Sequence, residues 1–192
     1  MTVGNLERIK NSIWITSHSR MVAEKRYRTY DNVSSFLLSW LSLSVLAWAV
    51  VHTSAAPNAF LDTYTALVSV FVFAFSIITF GFRFGETAVL HRECYLRLQK
   101  LHDCGDTEQD VISQYHEILA GYANQGDNDF DALVIQRTLL TKREIRGGDG
   151  NPIVWTGAML AGFLIRHAAF WLSALAVFTL GAFPYYVIFQ HL

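Results

Sequence analysis

Between Asp31 and Asp62 the chain carries no charged side chain, and from Phe36 to Val51 it reads FLLSWLSLSVLAWAVV. A second uncharged run, Thr63 to Phe82, is 20 residues long, which at a rise of ~1.5 Å per residue matches the ~30 Å hydrocarbon core of a bilayer. A third runs from Ala168 to Gln190. A chain of 192 residues has too little mass to bury three such elements from water, so the pattern predicts three membrane helices. Pro57 and Asn58 lie between the first two, which reads as a tight helical hairpin. Pro184 falls near the end of the third, where the carbonyl it frees can be satisfied by a neighbouring helix.

Charge sorts by side. Arg8, Lys10, Arg20, Lys25, Arg26 and Arg28 precede the first span, and the other nine of the 15 Lys and Arg lie within residues 83–167. The hairpin connection and the C-terminal tail carry none, which by the positive-inside rule places the N-terminus and the central segment in the cytoplasm. The first span is read as an uncleaved anchor, because a polar segment rather than a signal peptide precedes it. The expected architecture is all-α and integral to the membrane. It comprises a cytoplasmic amphipathic helix over 1–33, a transmembrane hairpin over 34–82, a cytoplasmic helical region over 83–151 and a C-terminal membrane helix over 152–192.

Composition narrows the function. Hydrophobic residues make up 52% and charged residues 16%, against roughly 45–50% and about 25% in soluble domains. The net charge of -1 argues against a nucleic-acid surface. Two cysteines, Cys94 and Cys104, fall in the cytoplasmic segment, where thiols stay reduced.

In the N-terminal segment Ile9, Ile13, Val22 or Ala23 and Tyr27 make an apolar stripe, with Arg20, Glu24 and Arg28 at i, i+4 intervals. Such a helix either lies on anionic headgroups or packs on the other cytoplasmic helices. Phe84, Ala88, His91, Tyr95, Leu98 and Leu101 continue the helical step, so the second span is expected to run on into the cytoplasm. Thr107 reads as the cap of a helix from Glu108 to Ala123 with the face Ile112, Tyr115, Leu119, Tyr122. A last soluble helix is expected from Asp129 to Arg146, with Leu133, Val134, Arg137 and Leu140 on one face. RGGDGNP, residues 146–152, is the clearest loop. Asn151 and Pro152 look like the cap and first position of the third membrane helix, with Trp155 at the interface and Arg166 snorkelling or facing protein.

Catalytic and metal patterns fail on spacing. His116-Glu117 lacks the second histidine of a zinc protease, since Ala120 stands there. Asp127, Asn128, Asp129 and Asp131 start like a calcium loop, but Ala132 replaces the glycine and Thr138 the bidentate glutamate. His91, Cys94, His102 and Cys104 are metal-capable types without a supporting spacing, and Cys as a small apolar filler is the better reading. No P-loop, dinucleotide or nucleophile-elbow motif is present, so no catalytic residue, metal or cofactor is assigned.

The spans themselves carry a pattern. Ser35, Ser39 and Ser42, extended by Ala49, fall in one arc of the first helix, and Thr65, Ser69, Ser76 and Thr79 in one arc of the second. Small hydroxyl residues let helices approach and bond one another. The same stripes can wet a pore if several subunits face one another, which demands an oligomer.

The segment Ser12 to Val45, with Ile13-Trp14-Ile15-Thr16, Arg20 and Ala23-Glu24-Lys25-Arg26 before a Ser-rich span, resembles the SLATT family, the SMODS- and SLOG-associating two-transmembrane effector domains of bacteria. HRECYLRLQKL (His91 to Leu101) and YHEILAGYANQGDNDFD (Tyr115 to Asp131) extend the likeness over about residues 10–140. The third span exceeds the two-span core. The resemblance implies a multi-pass effector of the bacterial inner membrane in anti-phage conflict systems. It implies a homo-oligomer that forms pores or disrupts the membrane when a nucleotide signal or partner enzyme reports infection, with membrane lipids as its other partner. An anchor or scaffold for a soluble enzyme is the alternative. Trp14, Thr16, Arg20, Glu24, Arg26, Tyr95, Tyr115, Asn124 and Asp131 are the motif residues it nominates for assembly or gating.

Overall fold

A computed structural model describes residues 3–52, 59–104, 107–147 and 151–191. The order is α1 (Val3–His52), α2 (Ala59–Phe82), α3 (Phe84–Cys104), α4 (Glu108–Ala120), α5 (Asp127–Ile135), a π-helical turn (Gln136–Leu140), β1 (Ile145–Arg146), β2 (Pro152–Ile153) and α6 (Gly157–His191). Among the described residues, three helices are long and apolar enough to cross a membrane. The chain divides into two compact units, one of residues 1–28 and 85–166, the other of residues 29–84 and 167–192.

The second unit is a bundle of three helices. On α1 the buried positions are Ser34, Leu37, Leu41, Ser44 and Trp48, alternating steps of three and four that give one packed seam. Ser34 and Ser44 turn their hydroxyls onto the carbonyls of Tyr30 and Trp40 at 2.7 and 2.8 Å, which hides their polarity inside the helix. Gly181 of α6 lies against this seam. A Cβ there would stand 2.6 Å from Trp40 Nε1 and 3.2 Å from Leu41 Cδ2, so glycine is what lets the two helices touch. Trp40 stacks on Phe178 at 4.9 Å, and its indole N–H donates to the Phe178 carbonyl at 3.1 Å. On α2, Tyr64 donates its hydroxyl to the Leu180 carbonyl at 2.5 Å. Proline at 184 has no N–H to offer that carbonyl. The neighbouring helix therefore supplies the bond that the sequence reading required.

The other unit is helical with two small cores. In one, Ile13, Cys94, Leu98, Leu101 and Val111 are joined by Tyr115 and Ile118. In the other, Leu133, Val134 and Ile145 are covered by Trp14, Ile153 and Trp155. The N-terminal helix packs on its neighbours, with Ile13, Ala23 and Arg20 each 0% exposed.

Several expected elements are displaced. The helix after the second span is interrupted at Arg83, whose φ of 48° lies in the left-handed region. Thr107 occupies the cap position of α4, but its hydroxyl bonds the Asp110 carboxylate instead of a backbone N–H. The inward face of α4 is Val111, Tyr115 and Ile118, one position off the expected face at Ile112 and Leu119, and the helix ends at Ala120 instead of Ala123, with Tyr122 beyond it against the same core. The last soluble helix starts two residues early and ends at Leu140 with a π turn, in which the Thr141 N–H reaches back to the Gln136 carbonyl at 3.1 Å. Leu140 is exposed.

Ile145 and Arg146, expected to end the last soluble helix, and Pro152 and Ile153, expected to begin the third membrane helix, instead form an antiparallel pair, Ile145 with Ile153 and Arg146 with Pro152. Burying Ile145 in the Leu133–Val134 core outweighs the helix-start signal of Asn-Pro, and α6 begins at Gly157. Asn11 ties this ribbon to α1 through the carbonyls of Arg146 and Gly147. Pro57 and Asn58 of the expected hairpin turn, and residues 148–150 of the glycine-rich loop, lie outside the described residues.

Candidate functional site

The nominated motif residues gather in the unit of residues 1–28 and 85–166. Trp14 stacks on His18 with ring centres 3.9 Å apart, and the Arg137 guanidinium lies 5.1 Å over its ring. Thr16 and Tyr115, 99 positions apart, share a hydroxyl–hydroxyl bond of 2.9 Å. Ser17 donates to the Tyr95 carbonyl. Glu24 pairs with Arg28 at 2.7 Å, while Arg20 turns inward and donates from Nη1 to the Ala123 carbonyl at 2.9 Å. The expected Arg20–Glu24 pair is therefore replaced by a buried tie from α1 to the segment following α4. Asn124 next to that tie is exposed, and Asp131 is half-buried.

The carboxylate that matters structurally, Asp129, was expected at the start of the last soluble helix and was not among the nominated motif residues. Asp129, 1% exposed, accepts from Arg26 Nη2 at 3.2 Å and from the Gly126 N–H at 3.2 Å. It stands in the first turn of α5, where a carboxylate meets unsatisfied N–H groups. Burial pushes its pKa above the ordinary carboxylate value, while Arg26, the Gly126 N–H and Arg166 hold it down. A Gly-x-x-Asp spacing at a helix start was the available signal.

His91 was read as a metal-capable type. It is 6% exposed, stacks on Tyr27 at 5.5 Å, and has its pKa lowered to about 4 by burial and by the charges of Arg20 and Arg26. Cys94 is fully buried in the first core, and burial raises its pKa; Cys104 is exposed. Among the described residues no three His, Cys, Asp or Glu side chains cluster as a metal site.

The two hydroxyl stripes of the spans part company. On α1, Ser35, Ser39 and Ser42 are exposed, one step round the helix from the packed seam. Ser39 bonds back to the Ser35 carbonyl at 2.9 Å. On α2, Thr65, Ser76 and Thr79 are half-buried and only Ser69 is exposed, with its hydroxyl on the Thr65 carbonyl at 2.8 Å. Thr65 lines a narrow inner space beside Ser44, Trp48 and Gly181. Thr79 lines a largely apolar cleft of about 410 Å³ with Ser34, Leu37, Phe170 and Ser173. The bundle thus turns most of the second stripe towards its own helices and leaves the first outside.

An all-α chain with three bilayer-length apolar helices and a separate polar helical unit is a helical membrane protein. Residues 4–187 match the SMODS and SLOG-associating 2TM effector domain family 5, and the chain belongs to that family. The match extends well past residue 140 and takes in most of α6, so the third apolar helix lies within the family's own extent. The family is one of membrane effector domains in conflict systems, and its name associates it with SMODS and SLOG proteins. Comparison with curated proteins and with solved structures found no match.

Proposed function

We propose that this chain is a multi-pass effector of the bacterial inner membrane whose protomers assemble through the outer face of α1. Triggered by a nucleotide signal or a partner enzyme, the assembly opens a pore or disrupts the bilayer, which is abortive infection. The observation that carries this reading is the outward placement of Ser35, Ser39 and Ser42. The protomer packs through the adjacent seam, so a face of small hydroxyl residues is left over for a second copy. Once copies face one another, rotation of the Ser39 hydroxyl off the Ser35 carbonyl wets the contact at modest cost. The sorting of Lys and Arg supports an N-terminus in the cytoplasm.

The test is inducible expression in a bacterial host carrying a membrane-potential dye. High-level expression drives assembly by mass action without the trigger, so wild type is expected to depolarise the cell. A Ser35→Leu/Ser39→Leu/Ser42→Leu variant at matched membrane level is expected not to. Undiminished depolarisation by that variant would remove the role of this face.

A scaffold reading, in which the chain holds a soluble enzyme at the membrane, is favoured by one feature. A cleft of about 390 Å³ in the polar unit is lined by Arg97, Lys100, Thr107, Asp110 and Gln114, a mixed surface suited to a protein contact. Under it neither form depolarises, and charge reversal at Arg97 and Lys100 releases a co-purifying partner.

A further inference from the structure

The polar unit buries more guanidinium than it neutralises. Arg20 is 0% exposed and has one bond, to the Ala123 carbonyl; its Nε and Nη2 are buried without an acceptor. Arg26 gives Nη2 to Asp129, and its Nε is buried without an acceptor. Arg166 Nη2 is likewise unpartnered, its guanidinium folded so closely over Gly162 that a Cβ there would lie 3.1 Å from Nη1. Asp129 is the one buried carboxylate among the described residues. It is held by Arg26 and lies in the field of Arg166, while His91 lies in the fields of both Arg20 and Arg26. Two cations, Arg26 and Arg166, therefore share a single anion, and Arg20 is buried with no anion of its own among the described residues. Buried donors without acceptors carry their full desolvation cost.

Position says what kind of anion fits. Arg26 is six residues before the uncharged run that begins at Asn32, and Arg166 two before the run at Ala168. Along the helices these are ~9 and ~3 Å, against a headgroup layer about 5–8 Å deep on each side of the core. Both arginines keep part of their side chains accessible, Arg26 27% of it. A guanidinium fork matches two oxygens of one phosphate, and basic pockets beside membrane helices bind anionic headgroups. We propose that Arg26 and Arg166 form a phosphate-binding site. The phosphodiester of an anionic phospholipid is the source that their place in the chain favours.

The experiment is thermal unfolding of the full chain in neutral detergent with four added probes. They are dioleoyl phosphatidylglycerol, dioleoyl phosphatidylcholine, inorganic phosphate and a hexaglutamate peptide. Phosphatidylglycerol is expected to raise Tm by about 5 °C and phosphatidylcholine to leave it unchanged. Arg166→Gln, which gives up none of the hydrogen bonds described above, is expected to fold, and its shifts are read from its own basal Tm. It should need at least about tenfold more phosphatidylglycerol for half the shift. A shift with inorganic phosphate that Arg166→Gln weakens equally supports the site and assigns it to the free anion. A shift with hexaglutamate alone overturns the proposal in favour of an acidic protein partner. Equal shifts in wild type and Arg166→Gln, or none with either phosphate probe, overturn it outright. None of these outcomes depends on whether the chain depolarises a membrane.

Discussion

Tyr64 and Leu180, 116 positions apart, are joined by a hydrogen bond from the phenol hydroxyl to the main-chain carbonyl, and proline at 184 is the reason that carbonyl is available. The pair predicts a thermodynamic cycle. Tyr64→Phe should destabilise the bundle by about 1 kcal/mol, within the range of interhelical bonds in membranes. Pro184→Ala restores an N–H within α6, and in that background the cost of Tyr64→Phe should fall close to zero. Equilibrium unfolding in bicelles of the two single variants and the double variant measures the coupling.

Gly181 predicts a steric effect at the same crossing. Gly181→Ala places a methyl 2.6 Å from Trp40 Nε1, so the indole must move and its bond to Phe178 is lost. The expected cost is about 1–3 kcal/mol. Trp40→Ala, which clears the space, should reduce the further penalty of Gly181→Ala to a few tenths of a kcal/mol.

His91 predicts a pH dependence. Its pKa in the folded chain, about 4, lies below the free value of 6.5, so the unfolded chain binds its proton more readily and stability rises with pH. The contribution is fully present above pH 6.5 and is lost as pH falls towards 4, by about 3 kcal/mol in all. Asp129, whose pKa is raised, acts in the opposite sense. His91→Gln isolates the histidine and should flatten the unfolding profile between pH 6.5 and 4 measured by hydrogen exchange in residues 85–166.

The exposed face of α1 predicts a contact between copies. In a Cys104→Ser background, Ser39→Cys should give a disulfide-linked dimer on mild oxidation in membranes. Ser44→Cys, on the packed seam of the same helix, should remain monomeric. Equal cross-linking at both positions would mean that random collision explains the dimer.

The membrane helices were legible because charge is absent over whole spans, a signal that needs no knowledge of tertiary contacts. The role of Pro184 was legible too, since a proline inside a span demands an outside donor, although not which residue supplies it. Arg20 was set in an i, i+4 series with Glu24 because that spacing describes one helix alone; its partner is the main-chain carbonyl of Ala123, which leaves no mark in sequence. The same blindness hid the ribbon at Ile145 and Ile153, where two-residue strands are held by burial of one side chain rather than by propensity. The hydroxyl stripes looked equivalent along the chain. Which of them faces inward depends on how α1 and α2 pack with α6, through contacts such as Trp40 with Gly181, more than a hundred residues apart.

The bond between Tyr64 and Leu180 also orders events during synthesis. At about 5–20 residues per second, the 116 positions between them take roughly 6 to 23 s to translate. The donor is thus already made when the proline-bearing helix leaves the ribosome. A circular permutant that delivered α6 first would ask that helix to enter lipid with a bare carbonyl, and its insertion should be the less efficient for it.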